Sequence, residues 1–301
     1  NNTETLSLEN LNISDDNTKD EVLFNNDRKN FEESENKYCN ENIRINDSLD
    51  DLVLYHYNSC DENSPDDVSS CRGIIRSGDT IVCKTFSFTK EILSSNVDVV
   101  KENIHSFNQC KIYDSEEGAT IRLFFYNNKW YISTHKKIDA FTSRWGSFEA
   151  KSFGAMFIDG LEYEITSGCL KDILTIENKE HILDRYCDLL DKNKTYTFLV
   201  RNSIYNRLVC NPPENPTVFF IGSFDRKTNL LIEGNTSYLN YPNSLNFESV
   251  DEMISYVNNI DISKKQGVIV YIPNQKQIKV ISDNYMIYFN IRGNEPSVKF
   301  R

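Results

Sequence analysis

Short apolar runs with strand-like alternation recur along the chain between polar turns, and they predict most of its secondary structure. Such runs are Leu52 to Tyr57, Gly73 to Arg76, Thr80 to Phe88, Thr120 to Tyr126 and Trp130 to Thr134. Others lie at Tyr196 to Arg201, Arg207 to Cys210, Val218 to Phe224, Gly267 to Ile272 and Gln277 to Ile281. Runs of this length bounded by turn residues read as strands, and Asn127-Asn128 between two of them reads as a tight hairpin turn. Helical spacing appears at Ile173, Ile176, Ile182, Leu183, Tyr186, Leu189 and Leu190, which predicts a helix over Leu170 to Leu190, and again over Val250 to Ile260. Phe148 to Phe157 opens a further helix that Gly154 weakens. The expected class is α+β, with antiparallel sheets flanked by helices.

Residues 1–45 are expected to form an acidic, Asn-rich arm, because Asn1 to about Asn36 holds few apolar anchors. With no internal repeat and no Pro- or Gly-rich linker, residues 46–301 are expected to form one domain. A formal charge of −12, from 33 basic and 45 acidic residues, argues against a protein that holds nucleic acid over its whole surface and leaves room for a local basic groove. The eight cysteines, at 39, 60, 71, 83, 110, 169, 187 and 210, form no CxxC pair and no metal-like cluster with the four histidines. They read as reduced thiols of a cytosolic protein, and no metal is expected. The start is polar, and no apolar stretch approaches the roughly 20 residues of a membrane helix, so no membrane partner is expected.

Candidate chemistry concentrates between Asp114 and Asp139, where the acidic turn Ser115-Glu116-Glu117-Gly118 leads into the predicted hairpin. In order along the chain, CRGIIRSGDTIVCKTFSFTKEI from Cys71, DSEEGATIRLFF from Asp114, TYTFLVRNSIYNRLVC from Thr195, TVFFIGSFDRKTN from Thr217 and QGVIVYIPNQKQIKVISDNY from Gln266 resemble a known family. These segments resemble the RNA ligases of the covalent nucleotidyltransferase superfamily, of the phage tRNA-repair type. The likeness is to a degenerate homologue of the kind found in large cytoplasmic DNA viruses, and it implies the nucleotidyltransferase fold.

The resemblance assigns roles position by position. Arg72-Gly73 matches the pair that precedes the nucleophile, and Lys84 to Phe88 the basic and aromatic element after it. The lysine of the KxxG nucleophile motif falls on Ser115, whose hydroxyl cannot form the phosphoramidate of the family's intermediate. The ribose-contacting glutamate falls on Leu199, the metal-positioning glutamate on Gln266, and the second of two phosphate lysines on Ile281, while Lys279 matches the first. An amide is a weak ligand for a hard divalent cation. Lys111 is too far along the strand to replace the nucleophile without a shift of register, since four residues span about 13 Å.

What remains implied is a cleft between two sheets, lined by Arg72, Lys84, Glu117, Arg122, Arg207 and Lys279. Trp130, Tyr131 and Trp145 lie in a stretch where Lys136, Lys137 and Arg144 alternate with aromatics, a mixture that suits RNA or a cap-like base. His135 lacks a partner in motif spacing and reads as structural, and Glu162 and Glu164 share a solvated face if their segment is a strand. The expected function is binding of a nucleotide or RNA 5′ end without catalysis, in the cytoplasm of an infected cell and within a viral RNA-processing or translation assembly. Three alternatives stand beside it. They are an mRNA cap-binding module, an ATP- and Mg-dependent ligase using Lys111 or Lys84, and a structural or adaptor protein. A cofactor is expected only for the active ligase.

Overall fold

The computed structural model describes residues 36–146, 150–175, 181–204, 208–232, 238–273 and 276–293. The chain divides into two units, Asn1–Tyr38 and Cys39–Arg301, and the strands and helices that follow all belong to the second.

Strands β1 (Ile43–Leu49), β2 (Leu52–Tyr57), β3 (Arg72–Ser77) and β4 (Thr80–Cys83) form an antiparallel sheet in chain order, with helix α1 (Asp66–Ser70) between β2 and β3. There follow β5 (Lys90–Leu93), α2 (Val97–Asn103), β6 (Lys111–Ser115), β7 (Ala119–Tyr126), β8 (Lys129–Ser133), α3 (Phe153–Thr166) and α4 (Ile182–Cys187). The chain continues through β9 (Lys194–Arg201), β10 (Thr217–Asp225), β11 (Leu231–Ile232), β12 (Ser244–Leu245), α5 (Val250–Asn258), β13 (Gly267–Ile272), β14 (Lys276–Ile281) and α6 (Asp283–Arg292). A central sheet runs β11-β10-β9-β7-β8 and a lateral sheet β12-β6-β13-β14-β5, the β14–β5 pair being parallel. The structure is thus α+β and dominated by antiparallel pairs, as the pattern predicts.

Alternation along the strands decides what each sheet covers. On the central sheet, Ile121 and Leu123 of β7 and Tyr196, Phe198 and Val200 of β9 face Phe157 and Leu161 of α3 and Tyr186 of α4. The rings of Phe157 and Phe198 lie 5.1 Å apart in this core. Ser152 caps α3 by accepting from the Ala155 amide at 3.2 Å. A Cβ at Gly160 would lie 2.2 Å from the Val218 Cγ2, so only glycine lets α3 approach β10 this closely. On the opposite face of the same sheet, Phe124 and Tyr131 pack against Leu52, Leu54, Ile75 and Val82 of the four-stranded sheet.

In the lateral sheet Ile112, Val268, Val270, Ile278 and Val280 are buried beneath Met253, Ile254 and Val257 of α5 and Val100 of α2. The alternate residues, Tyr113, Ser115, Ile269, Tyr271, Gln277 and Lys279, therefore face the other way, toward the central sheet. Tyr271 makes the junction: its hydroxyl donates to the Ile221 carbonyl at 3.2 Å, and Phe86 packs edge-on against both Tyr271 and Phe224.

Several expectations are corrected. Leu170 to Leu190 is not one helix: turns follow α3, and α4 holds only Ile182–Cys187. Leu170, Ile182, Tyr186 and Leu190 are buried in the core all the same, whereas Ile173 is 45 % exposed, so the apolar spacing reports burial served by turns and a short helix. Asp159 to Glu164 is helix, within α3, and not strand. Strand β4 stops at Cys83, well before Phe88, and Leu208 to Cys210 forms bends. Arg207, Ile176 and Phe148 lie outside the described residues.

Candidate functional site: the cleft between the central and lateral sheets

Strand register brings together positions on which the resemblance places motif residues. Ser115 ends β6 opposite Gly267 of β13, which in turn lies opposite Ile281 of β14, so the three form one row across the lateral sheet. The Gln266 amide donates to the Ser115 carbonyl at 2.9 Å, and its side-chain Nε2 to the Glu116 carbonyl at 3.0 Å. Leu199 arrives from the central sheet: a Cβ on Gly118 would sit 2.8 Å from the Leu199 Cδ1 and 2.8 Å from the Val200 carbonyl oxygen. Ser115, Gln266 and Ile281 thus adjoin at one end of the lateral sheet, and Leu199 packs against Gly118, three residues after Ser115.

The acidic turn is bound inward. Glu116 and Arg201 form an ion pair with side chains 15 % and 12 % exposed, and Arg201 also donates to the Asn211 carbonyl at 3.0 Å. Burial raises the Glu116 carboxyl above its ordinary range, against the pull of Arg201. Glu117 accepts from the Val209 amide at 2.7 Å, the Leu208 amide at 3.2 Å and the Tyr285 hydroxyl at 2.6 Å. Burial first, then that bond, holds the Tyr285 phenol above its ordinary value. Ile281 is buried with Cys210 and Tyr285, so α6 caps this end of the cleft. One residue before the row, Asp114 accepts from Lys265 at 2.5 Å and Tyr256 at 2.7 Å, which fixes the end of β6 on α5.

Farther from that end the facing surfaces of the two sheets are less buried. Tyr113, Ile269, Tyr271 and Lys279 on one wall and Thr120, Leu199 and Phe219 on the other are only half-buried on the inward faces of their sheets. Lys279 pairs with Glu91 at 3.0 Å, and Lys84 is half-buried. Arg72 reaches the Ser87 carbonyl at 3.2 Å and the Thr89 hydroxyl at 3.3 Å.

Other predicted residues are placed elsewhere. Arg122 is fully buried and donates to the Gly73 carbonyl and, at 2.6 Å, to the Thr134 carbonyl, which ties the four-stranded sheet to the end of β8. Alternation sends Trp130 to the helix-facing side of the central sheet and Tyr131 to the other, where it stacks on Phe124 at 5.2 Å. Trp145 is half-buried beside the Arg144–Ser152 bridge that leads into α3. The aromatics gathered by sequence proximity therefore do not form one platform. Those facing the cleft are Tyr113 and Tyr271, with Tyr241 stacked on Tyr113 at 5.0 Å. Lys111 is exposed on the face of Ser115, opposite Tyr271 rather than Gly267. Among the described residues no three His, Cys, Asp or Glu side chains converge as a metal site, and all eight cysteines are free thiols.

No family model matches the chain. It is 28 % identical over 263 residues, 80 % of its length, to the immediate-early protein ICP-46 homolog of Invertebrate iridescent virus 6, of which it covers 54 %. A second relative, 24 % identical over 265 residues, is a protein of Autographa californica nuclear polyhedrosis virus described as "Putative bifunctional polynucleotide kinase/RNA ligase". The chain thus spans about half the length of the first and 34 % of the second. Among solved structures an archaeal ATP-dependent RNA ligase aligns with 89 % of this chain and 62 % of its own, at 12 % identity and TM-score 0.47. A Naegleria gruberi RNA ligase aligns with 69 % of this chain and 58 % of its own, at 8 % identity and TM-score 0.42. The resemblance read from the sequence, to an RNA-ligase-like family with viral members, is borne out by these relatives.

Proposed function

We propose that the cleft binds a nucleotide or the 5′ end of an RNA without forming a covalent protein–nucleotide intermediate, as part of viral RNA handling in the cytoplasm of an infected cell. The observation that carries this reading is the row Ser115, Gly267, Ile281 with Leu199 beside it. An attacking group here would need a lone pair on a nucleophile activated by a base or by a lowered pKa. Ser115 is buried and lies in register with Gly267 and Ile281, and Glu116 is engaged by Arg201. A divalent cation would neutralise phosphate charge, yet Gln266 and Ser115 offer an amide and a hydroxyl, which fit it poorly, and the neighbouring carboxylates Glu116 and Glu117 are engaged by Arg201 and by Tyr285 with the Leu208 and Val209 amides.

The outer cleft supports binding. Tyr113 and Tyr271 are half-buried rings on the cleft side, packed edge-on against each other, and stacking of a base on such a ring is worth about 1–3 kcal/mol. Lys279, Lys84 and Arg72 supply cations at the edge for phosphate. The cap-binding alternative gains least, since Trp130 and Tyr131 lie on opposite faces of β8. An adaptor role is favoured by one feature, the closure of the inner end by Tyr285, Cys210 and Ile281.

Titration of the protein with ATP, GTP, a methylated-cap analogue and a short 5′-phosphorylated RNA, followed by intrinsic fluorescence, tests the reading. Saturable binding of nucleotide or RNA that weakens about tenfold or more in Tyr271→Ala supports it, since loss of a stacking face is worth that much. Failure of every ligand to bind moves the case to the adaptor role.

A further inference from the structure

On the face of the central sheet that carries Phe124 and Tyr131, three buried polar side chains stand in one row. Arg122 of β7 lies opposite Ser133 of β8 on one side and opposite Thr197 of β9 on the other, and Thr197 lies opposite Gly222 of β10. Directly opposed residues share a face with Cβ atoms about 5 Å apart, so the two hydroxyls flank the arginine side chain. Ser133, Arg122 and Thr197 are wholly removed from solvent. Phe86 closes the row beyond Thr197, where a Cβ on Gly222 would sit 2.8 Å from the Phe86 Cζ, and the preceding Thr85 is buried with it.

Each member of the row keeps a polar atom without a hydrogen-bond partner among the described residues. These are the Arg122 Nε, the Ser133 Oγ and the Thr197 Oγ1, and the Thr85 Oγ1 is in the same position. The terminal nitrogens of Arg122 are engaged by the Gly73 and Thr134 carbonyls, which meet two donors without balancing the charge. Burial lowers the Arg122 pKa, and the groups that act on it besides are the Cys83 thiol and a second cation, Arg72. Cys83 is itself fully buried, which raises its pKa, so at pH 7 the thiol is neutral and supplies no counter-charge. A guanidinium N–H can only donate and a hydroxyl can turn to donate, so the row is a set of donors around a cation. What such a set calls for is an acceptor that carries negative charge.

We propose that Arg122, Ser133 and Thr197 bind one small monovalent anion of the halide class, such as chloride, inside the protein. A single negative charge balances the single guanidinium, and a monatomic anion brings no further polar atoms that would need partners in the interior. Water would meet the donors and leave the charge of Arg122 unbalanced. Because Arg122 also holds the Gly73 carbonyl of β3 and the Thr134 carbonyl after β8, the anion secures the joint between the four-stranded and central sheets. The assignment is independent of the reading of the cleft, since it uses none of Tyr113, Tyr271 or Lys279. The three residues come from separate strands, so the site exists only in the folded chain, and the anion stabilises folding by mass action.

Urea unfolding in sodium chloride exchanged for sodium gluconate at constant ionic strength tests the site, gluconate being too large for a closed interior. Above its dissociation constant, chloride is expected to raise the folding equilibrium constant about tenfold for each tenfold increase in its concentration, and tight binding preserves this slope. Thr197→Val keeps the side-chain shape and removes one donor. It is expected to move the onset of the dependence to about tenfold higher chloride or beyond, the effect of one hydrogen bond to a charged group. Ser133→Ala is the second variant, used in the same way if the first misfolds. In crystals grown with sodium bromide, one anomalous peak is expected between Arg122, Ser133 and Thr197. A folding constant indifferent to chloride from millimolar to molar concentration overturns the proposal. So does an onset unmoved in both variants, or a water in place of bromide beside Arg122.

Discussion

Arg122 shows how a single residue can carry a motif-like position and serve architecture instead. A guanidinium removed from water is costly unless its donors are met, and here the Gly73 and Thr134 carbonyls meet two of them. Lysine at this position keeps the buried charge but cannot span both carbonyls, whereas methionine removes the charge with the bonds. Arg122→Lys is therefore expected to destabilise by about 3 kcal/mol and by more than Arg122→Met, read from urea midpoints at constant slope. Equal losses, or the reverse order, contradict the role assigned. Tyr285→Phe is expected to lower stability by about 2 kcal/mol, because the Tyr285 hydroxyl donates to the buried Glu117. An unchanged midpoint shows that the bond adds nothing. Asp51 is held below the ordinary aspartate range chiefly by the Tyr126 hydroxyl, then by Ser77. Its contribution is present above the unfolded-state value and lost as pH falls through the folded one, so Tyr126→Phe is expected to move the Asp51 titration upward in carboxyl NMR. At this scale Ser115, Leu199, Gln266 and Ile281 are singled out only through the family resemblance, which places motif residues on them. The burial of Arg122 is not, because nothing in the sequence around a strand arginine shows which carbonyls open toward it.

Among the elements, the most legible is the β7–β8 hairpin, whose turn residues Asn127 and Asn128 both adopt positive φ, 45° and 60°. Asparagine tolerates this conformation and a β-branched residue does not, so Asn128→Val is expected to cost about 1–2 kcal/mol and Asn128→Gly little or nothing. Thermal unfolding of the two variants reads the difference, and equal midpoints would sink the explanation. Strands β13 and β14 and helix α5 were legible for the same reason, apolar periodicity that matches one buried face. Strands β1, β5 and β6 were not, because sequences such as KIYDS at β6 alternate buried and exposed groups over too few residues. The helix expected over Leu170 to Leu190 failed because apolar spacing reports burial, and turns can bury Leu170 and Leu190 as well as a helix can. Helix α3 was half legible: Gly154 reads as a weakness, whereas in the fold it makes room for the Phe141 ring, just as Gly160 makes room for Val218.

For the molecule as a whole, the excess of acid is compatible with a cleft whose edge is locally basic at Arg72, Lys84 and Lys279. No helix among the described residues is long and apolar enough to cross a membrane. The central claim is that the cleft binds its ligand without covalent chemistry, and the row of uncharged residues at its inner end extends that claim to a repaired nucleophile. Ser115→Lys alone leaves Leu199, Gln266 and Ile281 in place, so it is expected to yield no nucleotide adduct. The most direct test is mass spectrometry of the protein incubated with ATP and magnesium or manganese, recorded under native and then denaturing conditions. The expected result is a nucleotide complex in the native spectrum that disappears on denaturation, leaving the unmodified mass. A mass increase equal to one nucleoside monophosphate that survives denaturation contradicts it.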